Sequence, residues 1–306
     1  MNLSFADALC EAVQRLRSAT CVGIDPRADR LPAALRISTK DGPEARAAAV
    51  EAFARGVVEA VADLVPAVKV NIAFFEALGP QGLLAYREVT LQARELGLLV
   101  IGDGKRGDIG STAEAYAAGH LAEPRHPAAL GAHDAVTVNP YLGADGVLPF
   151  IEAARANGQG VFVLVKTSNP SSAEIQELAL REGGTVAERV ASLVNDWGAA
   201  LVGASGLSSV GAVVGATHRQ DLARLRALMP RAPFLLPGFG AQGASAEDVT
   251  DAFLPGGLGG LVNASRSIVY AYEKEGTDDF AGAARSAAKS MNAAMRLALE
   301  RAGKGF

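Results

Sequence analysis

Cysteine is almost missing from this chain: 306 residues carry two, Cys10 and Cys21. With no pair in redox or metal spacing, a disulfide scaffold and a thiolate metal centre are both excluded. The two thiols are expected reduced, one on a predicted helix and one on a predicted buried strand. Histidine is equally sparse. His120, His126, His133 and His218 fall in no ligand spacing, so no metal site is expected. No apolar run reaches the ~18 residues that a membrane crossing requires. The opening MNLSFADALCEA carries Asp7 and Glu11 where a secretory signal needs a basic and then an apolar segment. The expectation is a cytoplasmic protein. An excess of positive charge is lacking as well: net charge is −4 with both signs interspersed, which argues against nucleic acid and membrane partners and for a small ligand. Nucleophile-elbow and P-loop patterns are absent too.

What is present is apolar and periodic. A hydrophobic fraction of 49% against 20% charged residues suits a folded protein with a substantial core. Eight short apolar runs recur: 20–25, 67–71, 98–103, 135–140, 161–168, 211–217, 233–238 and 259–265. Unbroken apolar runs, in place of polar alternation, mark strands buried on both faces, as in parallel sheets covered by helices. Between them lie helical signals. Val50, Phe53, Val57, Val61 and Leu64 follow helical spacing, Pro80 suits a helix's first turn, and Ser111/Glu114 and Thr185/Glu188 fit capping boxes. Eight β/α alternations predict an α/β fold of the (β/α)8 TIM-barrel type, a single domain over 1–306. An extra N-terminal helix (5–16) and a last one (279–302) would flank it, and 169–184 would form a long loop.

In such a barrel the site lies at the C-terminal ends of the strands. Those ends carry Asp25, Lys69, Asn71, Asp103, Lys105, Asp108, Thr167, Ser168, Gln242 and Arg266. Asp103 and Lys105 are two apart, so in extended chain both point into one space. Lys69 on the neighbouring strand should join them. Charges of both signs at short range tune one another's proton affinity, as acid–base sites require. In PGFGAQGAS (237–245) a glycine-rich turn before a helix starting near Ser245 offers free amides to a phosphate, with Arg266 as cation. Arg106 has no role here and is expected to be solvated.

The string Asp103-Gly-Lys105-Arg-Gly-Asp108-Ile109 resembles the D-x-K-x-x-D-I signature of the orotidine 5′-phosphate decarboxylase family. VGIDPR, KVNIAFFE, VKTSNPSS, VVGAT, PGFGAQG and NASRSI are similar to its longer bacterial branch, in order along nearly the whole chain. The resemblance implies a barrel without cofactor or metal that removes CO₂ from orotidine 5′-phosphate to give UMP, the last step of pyrimidine nucleotide synthesis. It makes Lys105 the proton donor within a charged tetrad of Lys69, Asp103, Lys105 and Asp108, the last reaching in from the partner of a homodimer. It further implies that Asp25 binds ribose hydroxyls, that Thr112 contacts the ribose from the partner chain, and that Asn71 is among the substrate-binding residues. Ser168, or Thr167, would meet the pyrimidine edge, Gln242 and Arg266 would grip the phosphate, and Pro237 and Ser265 would also bind substrate.

Two other readings compete. A Mg-dependent sugar-phosphate decarboxylase or aldolase of the same barrel group would need more carboxylates at neighbouring strand ends, where strand two offers Lys69 and Asn71. A non-catalytic phosphate-binding barrel would keep Gln242 and Arg266 without needing the tetrad. Schiff-base chemistry at Lys69 or Lys105 is a weaker third.

Overall fold

The computed structural model describes residues 3–38, 40–123, 126, 129–216, 219–238 and 245–306. Its strands are β1 (Thr20–Ile24), β2 (Ala67–Asn71), β3 (Leu99–Arg106), β4 (Ala135–Val138), β5 (Gly160–Lys166), β6 (Val210–Val214), β7 (Phe234–Pro237) and β8 (Gly260–Ala264). They pair parallel in chain order, and β8 returns to β1, closing the barrel. The expected (β/α)8 architecture is therefore present. Each apolar run supplies one strand, because a closed sheet wrapped in helices leaves neither face of a strand to water.

The helices are α1 (Phe5–Leu16), α2 (Pro43–Val61), α3 (Ala73–Glu76), α4 (Gly79–Glu95), α5 (Gly110–His120) and α6 (Ala144–Asn157), followed by α7 (Ala173–Gln176), α8 (Val186–Gly198), α9 (Arg219–Leu228), α10 (Arg266–Val269), α11 (Ala271–Glu275) and α12 (Phe280–Arg301). Local chemistry sets several boundaries. Thr185 accepts from the Glu188 amide while Glu188 accepts from the Thr185 amide, the expected capping box of α8. Pro80 lies in the first turn of α4. Ser111, in contrast, caps nothing. Gly110 adopts a positive φ of 53° behind an extended Ile109, so α5 begins two residues earlier than a Ser111 cap would start it, and Ser111 sits inside its first turn. Leu64 falls past the end of α2, in a turn. The segment 169–184 is not bare loop: it contains a 3₁₀ turn (Pro170–Ser172) and α7. Near Ser245 there is only a 3₁₀ helix, Glu247–Ala252, with the Ser245 amide and hydroxyl both donating to Asp248.

Inside the barrel, each strand contributes one side chain to a single apolar cluster: Cys21, Ala67, Ile101, Ala135, Phe162, Val213, Leu235 and Leu261. Phe5, Leu9 and Val13, one helical stripe of α1, close this cluster at the N-terminal end of the strands. Phe5 meets Phe162 edge-on at 5.8 Å. Strand side chains alternate in direction, so residues two further along face the same interior, one layer nearer the C-terminal mouth. On β2, β3, β4 and β8 those are Lys69, Asp103, Thr137 and Asn263. Polar groups thus stand directly above an apolar floor.

Candidate active site

Lys69 and Asp103 are almost fully buried on adjacent strands, and the Lys69 Nζ lies 2.5 Å from Asp103 Oδ2. The other carboxylate oxygen accepts from Lys105 Nζ at 2.6 Å and from the Thr137 hydroxyl at 3.0 Å. A carboxylate with both oxygens engaged holds its two ammoniums in fixed places. Burial alone would raise the Asp103 carboxyl, but Lys69 and Lys105 outweigh it and hold it well below the usual carboxylate range. Burial would likewise pull Lys69 down; Asp103 and then Asp25 overrule it and keep the ammonium above the ordinary lysine range. Both groups are charged at neutral pH. Burial pushes the nearby Cys21 thiol up to about 12, leaving it protonated and inert.

Asp103 and Lys105 converge as expected, but not by regular strand alternation. The β3–β4 register breaks between Gly102 and Arg106, and Lys105 has a left-handed backbone, φ 46°. Its amide donates to Thr137 Oγ1 at 2.9 Å while its ammonium, half exposed, stands at the mouth above Asp103. Thr137 was not anticipated, although its polar side chain in the run AVTVNP, two residues past Ala135, was a usable signal.

The other anticipated residues divide. Asp25 Oδ1 lies 3.9 Å from Lys69 Nζ and is buried without a hydrogen-bond partner. The Asn71 side-chain oxygen accepts from the Ala73 amide at the start of α3. Thr167 is occupied by Asn169 and Gln176, whereas no hydrogen bond among the described residues engages the Ser168 hydroxyl. Pro237 ends β7 beside Asn263. The Ser265 hydroxyl is buried and unpartnered, and Arg266 is exposed at the start of α10. Gln242 lies outside the described residues. Asp108 and Thr112 are not brought to the cluster: Asp108 accepts from the adjacent Ile109 amide, and Thr112 is exposed on α5.

Asn263 was missed. Its Oδ1 is buried and unpartnered, next to the space above Gly23, where an added Cβ would lie 3.1 Å from it and 2.9 Å from Ser265 Cβ. Asp25, Asn263 and Ser265 therefore line the β1–β8 seam with polar atoms that lack hydrogen-bond partners among the described residues. Buried polar atoms are nearly always satisfied, so this seam is suited to a ligand bearing hydroxyls. Tyr270 holds the loop beneath it, donating to the Asp25 carbonyl at 2.9 Å and accepting from the Arg27 amide.

Arg106 is not solvated as expected. It is largely buried, paired with Glu76, and its Nε donates to His120 Nε2 at 3.2 Å. Elsewhere, a cavity of about 720 Å³ lies outside the barrel between α8 and α9, but its Arg224 is already paired with Glu188. An adjoining cavity contains Lys166, buried and paired with Glu177 at 2.5 Å. Those two cations are thus already matched, whereas at the barrel mouth Arg266 is unpaired among the described residues.

The sequence pattern described as the Orotidine 5′-phosphate decarboxylase / HUMPS family matches residues 19–277. The orotidine 5′-phosphate decarboxylases of Rhodopirellula baltica and Deinococcus radiodurans are each 46% identical to this chain. The first match covers 89% of this chain and 90% of that protein; the second covers 95% and 96%. The solved structure of Leishmania donovani OMP decarboxylase superposes with a TM-score of 0.73 at 34% identity, covering 96% of this chain and 99% of that one.

Proposed function

The chain belongs to the orotidine 5′-phosphate decarboxylase / HUMPS family, and from that premise we propose that it converts orotidine 5′-phosphate to UMP and CO₂ at the Lys69–Asp103–Lys105 cluster. The observation that carries this reading is the doubly engaged Asp103, which holds two ammoniums within 2.6 Å at the barrel mouth. In the reaction the bond between the ring carbon and its carboxylate breaks, CO₂ departs, and the electron pair stays on the ring. The negative charge left there is stabilised by a preorganised cation. Lys105 supplies it and then delivers a proton to the same carbon. Asp103 keeps Lys105 and Lys69 in place, and its own negative charge faces the substrate carboxylate, disfavouring the bound ground state.

The sugar and phosphate lie along the seam from Asp25 past Asn263 to Ser265 and Arg266. Asp25 takes ribose hydroxyls, which donate to the oxygen that has no hydrogen-bond partner among the described residues. Arg266, with Gln242, takes the phosphate, converting binding far from the ring into rate. Ser168 meets the pyrimidine edge, since Thr167 is already engaged within its own loop.

In this reading the working unit is a cytoplasmic homodimer, and Asp108 and Thr112 complete the neighbour's site. Its support is an apolar surface beside Asp108: Ile109, Tyr116, Tyr141, Leu142 and Leu148 are all at least 40% exposed on or next to the packed pair α5 and α6. Among the described residues no helix is long and apolar enough to cross a membrane.

The test follows the loss of orotidine 5′-phosphate absorbance with purified protein. Lys105→Ala is expected to bind UMP as the parent does and to lose nearly all turnover. Unchanged turnover would reject the mechanism.

A further inference from the structure

Lys105 is one of two non-glycine residues with positive φ among the described residues, and it stands where chemistry needs a fixed direction. A left-handed residue with a Cβ is disfavoured and persists only where its surroundings over-determine it. We propose that Arg106 is a positioning residue, clamped by Glu76 and His120 so that the backbone turn at Lys105 keeps its ammonium over Asp103.

The clamp is built from three elements. Arg106 is the last residue of β3, and its carbonyl accepts from the Asn139 amide at 2.8 Å, beyond β4. Its guanidinium pairs with Glu76 at the end of α3, donates from Nε to His120 Nε2 at 3.2 Å, and lies over the Tyr116 ring at 5.5 Å. Arg106, the residue after Lys105, is therefore tied through its carbonyl by the segment just beyond β4 and through its side chain by α3 and α5. Relaxing Lys105 to an ordinary φ would have to swing Arg106 out of all these contacts.

His120 is oriented in turn. Its carbonyl accepts from His133 Nδ1 at 2.8 Å, which leaves His133 Nε2 to accept from the Tyr86 hydroxyl at 2.7 Å. Because Arg106 is always a donor, His120 must present an unprotonated Nε2. Burial keeps both imidazoles neutral at physiological pH. Two glycines make room for this layer against β3. A Cβ at Gly104 would lie 3.3 Å from Arg106 Nε and 3.4 Å from His120 Cε1, and one at Gly102 would lie 2.9 Å from the His133 ring. The glycine spacing of GDGKRG thus admits the clamp as well as freeing the turn.

This inference rests on Lys105 being the proton donor, so Lys105→Ala is measured beside Arg106→Gln, Arg106→Lys, Glu76→Gln and the Arg106→Gln/Glu76→Gln double variant. For each, kcat and KM for orotidine 5′-phosphate and the UMP dissociation constant are determined. Misaiming the ammonium by about an ångström is expected to lower kcat about 10- to 100-fold in Arg106→Gln, with UMP affinity within about threefold of the parent. Arg106→Lys, which keeps the charge toward Glu76 but not the bond to His120, should fall between. The double variant should be no worse than Arg106→Gln, because both changes break one contact. A kcat within twofold of the parent in both single Gln variants, or parallel loss of kcat and UMP affinity, would overturn the proposal. If Arg106→Gln does not fold, Glu76→Gln decides, since it breaks the same pair from a half-exposed side chain. Normal turnover by Lys105→Ala would instead bring down the reading of the site on which the proposal stands.

Discussion

When the pH is lowered from 7.5 to 5.0, the imidazoles of His120 and His133 must either stay neutral in the fold or take protons that only the unfolded chain accommodates. Burial, then His133, then Arg106 push His120 down to about 3. Burial pushes His133 down to about 4, against partial relief from its bond to the His120 carbonyl. Both folded values lie below the unfolded one of about 6.5. Their contribution to stability is therefore complete above about 6.5 and is lost as the pH falls toward 4. At pH 5 each group costs the fold about 2 kcal/mol relative to neutral pH, about 4 kcal/mol together. That is a large part of the roughly 5–15 kcal/mol that holds an ordinary domain together. Asp134, whose carboxyl burial raises, works in the opposite sense, so the decisive quantity is a difference between proteins. Urea unfolding of the parent and of His133→Gln at both pH values supplies it. Gln can still donate to the His120 carbonyl or accept from Tyr86 but cannot titrate. The pH-dependent loss should shrink by about 2 kcal/mol in the variant. An equal loss in the two proteins would refute the assignment.

The glycines behind β3 make a second prediction: Gly102→Ala places a methyl 2.9 Å from a His133 ring that two hydrogen bonds hold still, and about 1–3 kcal/mol of stability should be lost in the same urea assay. A loss below about 0.5 kcal/mol would show that the ring can move aside. Sharing of sites between subunits predicts complementation. Mixing inactive Asp108→Asn and Lys105→Ala proteins, with subunit exchange verified, should restore about a quarter of parent activity, since half of the dimers are hybrids with one intact site each. No recovery would place Asp108 in its own subunit's site. Turnover should also survive exhaustive EDTA treatment unchanged; a loss restored by Mg²⁺ would favour the metal-dependent relatives.

The strands could be read from sequence within a few residues because a strand buried on both faces is written as an unbroken apolar run. The pairing of Lys69 with Asp103 was legible for the same reason: once β2 and β3 are neighbours, two polar residues at their ends have one interior to share. β3 was read three residues short. It continues to Arg106 through a bulge whose geometry depends on Thr137 of β4, on Asn139 just beyond it, and on Glu76 and His120 of two helices. No local pattern around Lys105 records those partners. Arg106 therefore looked solvated, although its surroundings bury it. Ser111 misled for a simpler reason. Hydroxyl and carboxylate at the right spacing cap a helix only if the backbone enters there, and Gly110 takes that turn first. Thr137 and Asn263 were overlooked as single polar residues within apolar runs, where alternation counted from the floor residues Ala135 and Leu261 would have placed both inside the barrel.

The plug that α1 makes under the barrel has a consequence for the traffic of the reaction. With Phe5, Leu9 and Val13 sealing one end and a side chain from every strand filling the layer above them, the reaction chamber is a blind tube. The gas released from the ring has no rear exit. It must leave by the mouth through which the nucleotide entered, past a ribose and phosphate that still occupy it, or wait until they go. The route by which both products depart is thus set at the floor of the barrel, by three apolar side chains that take no part in the chemistry.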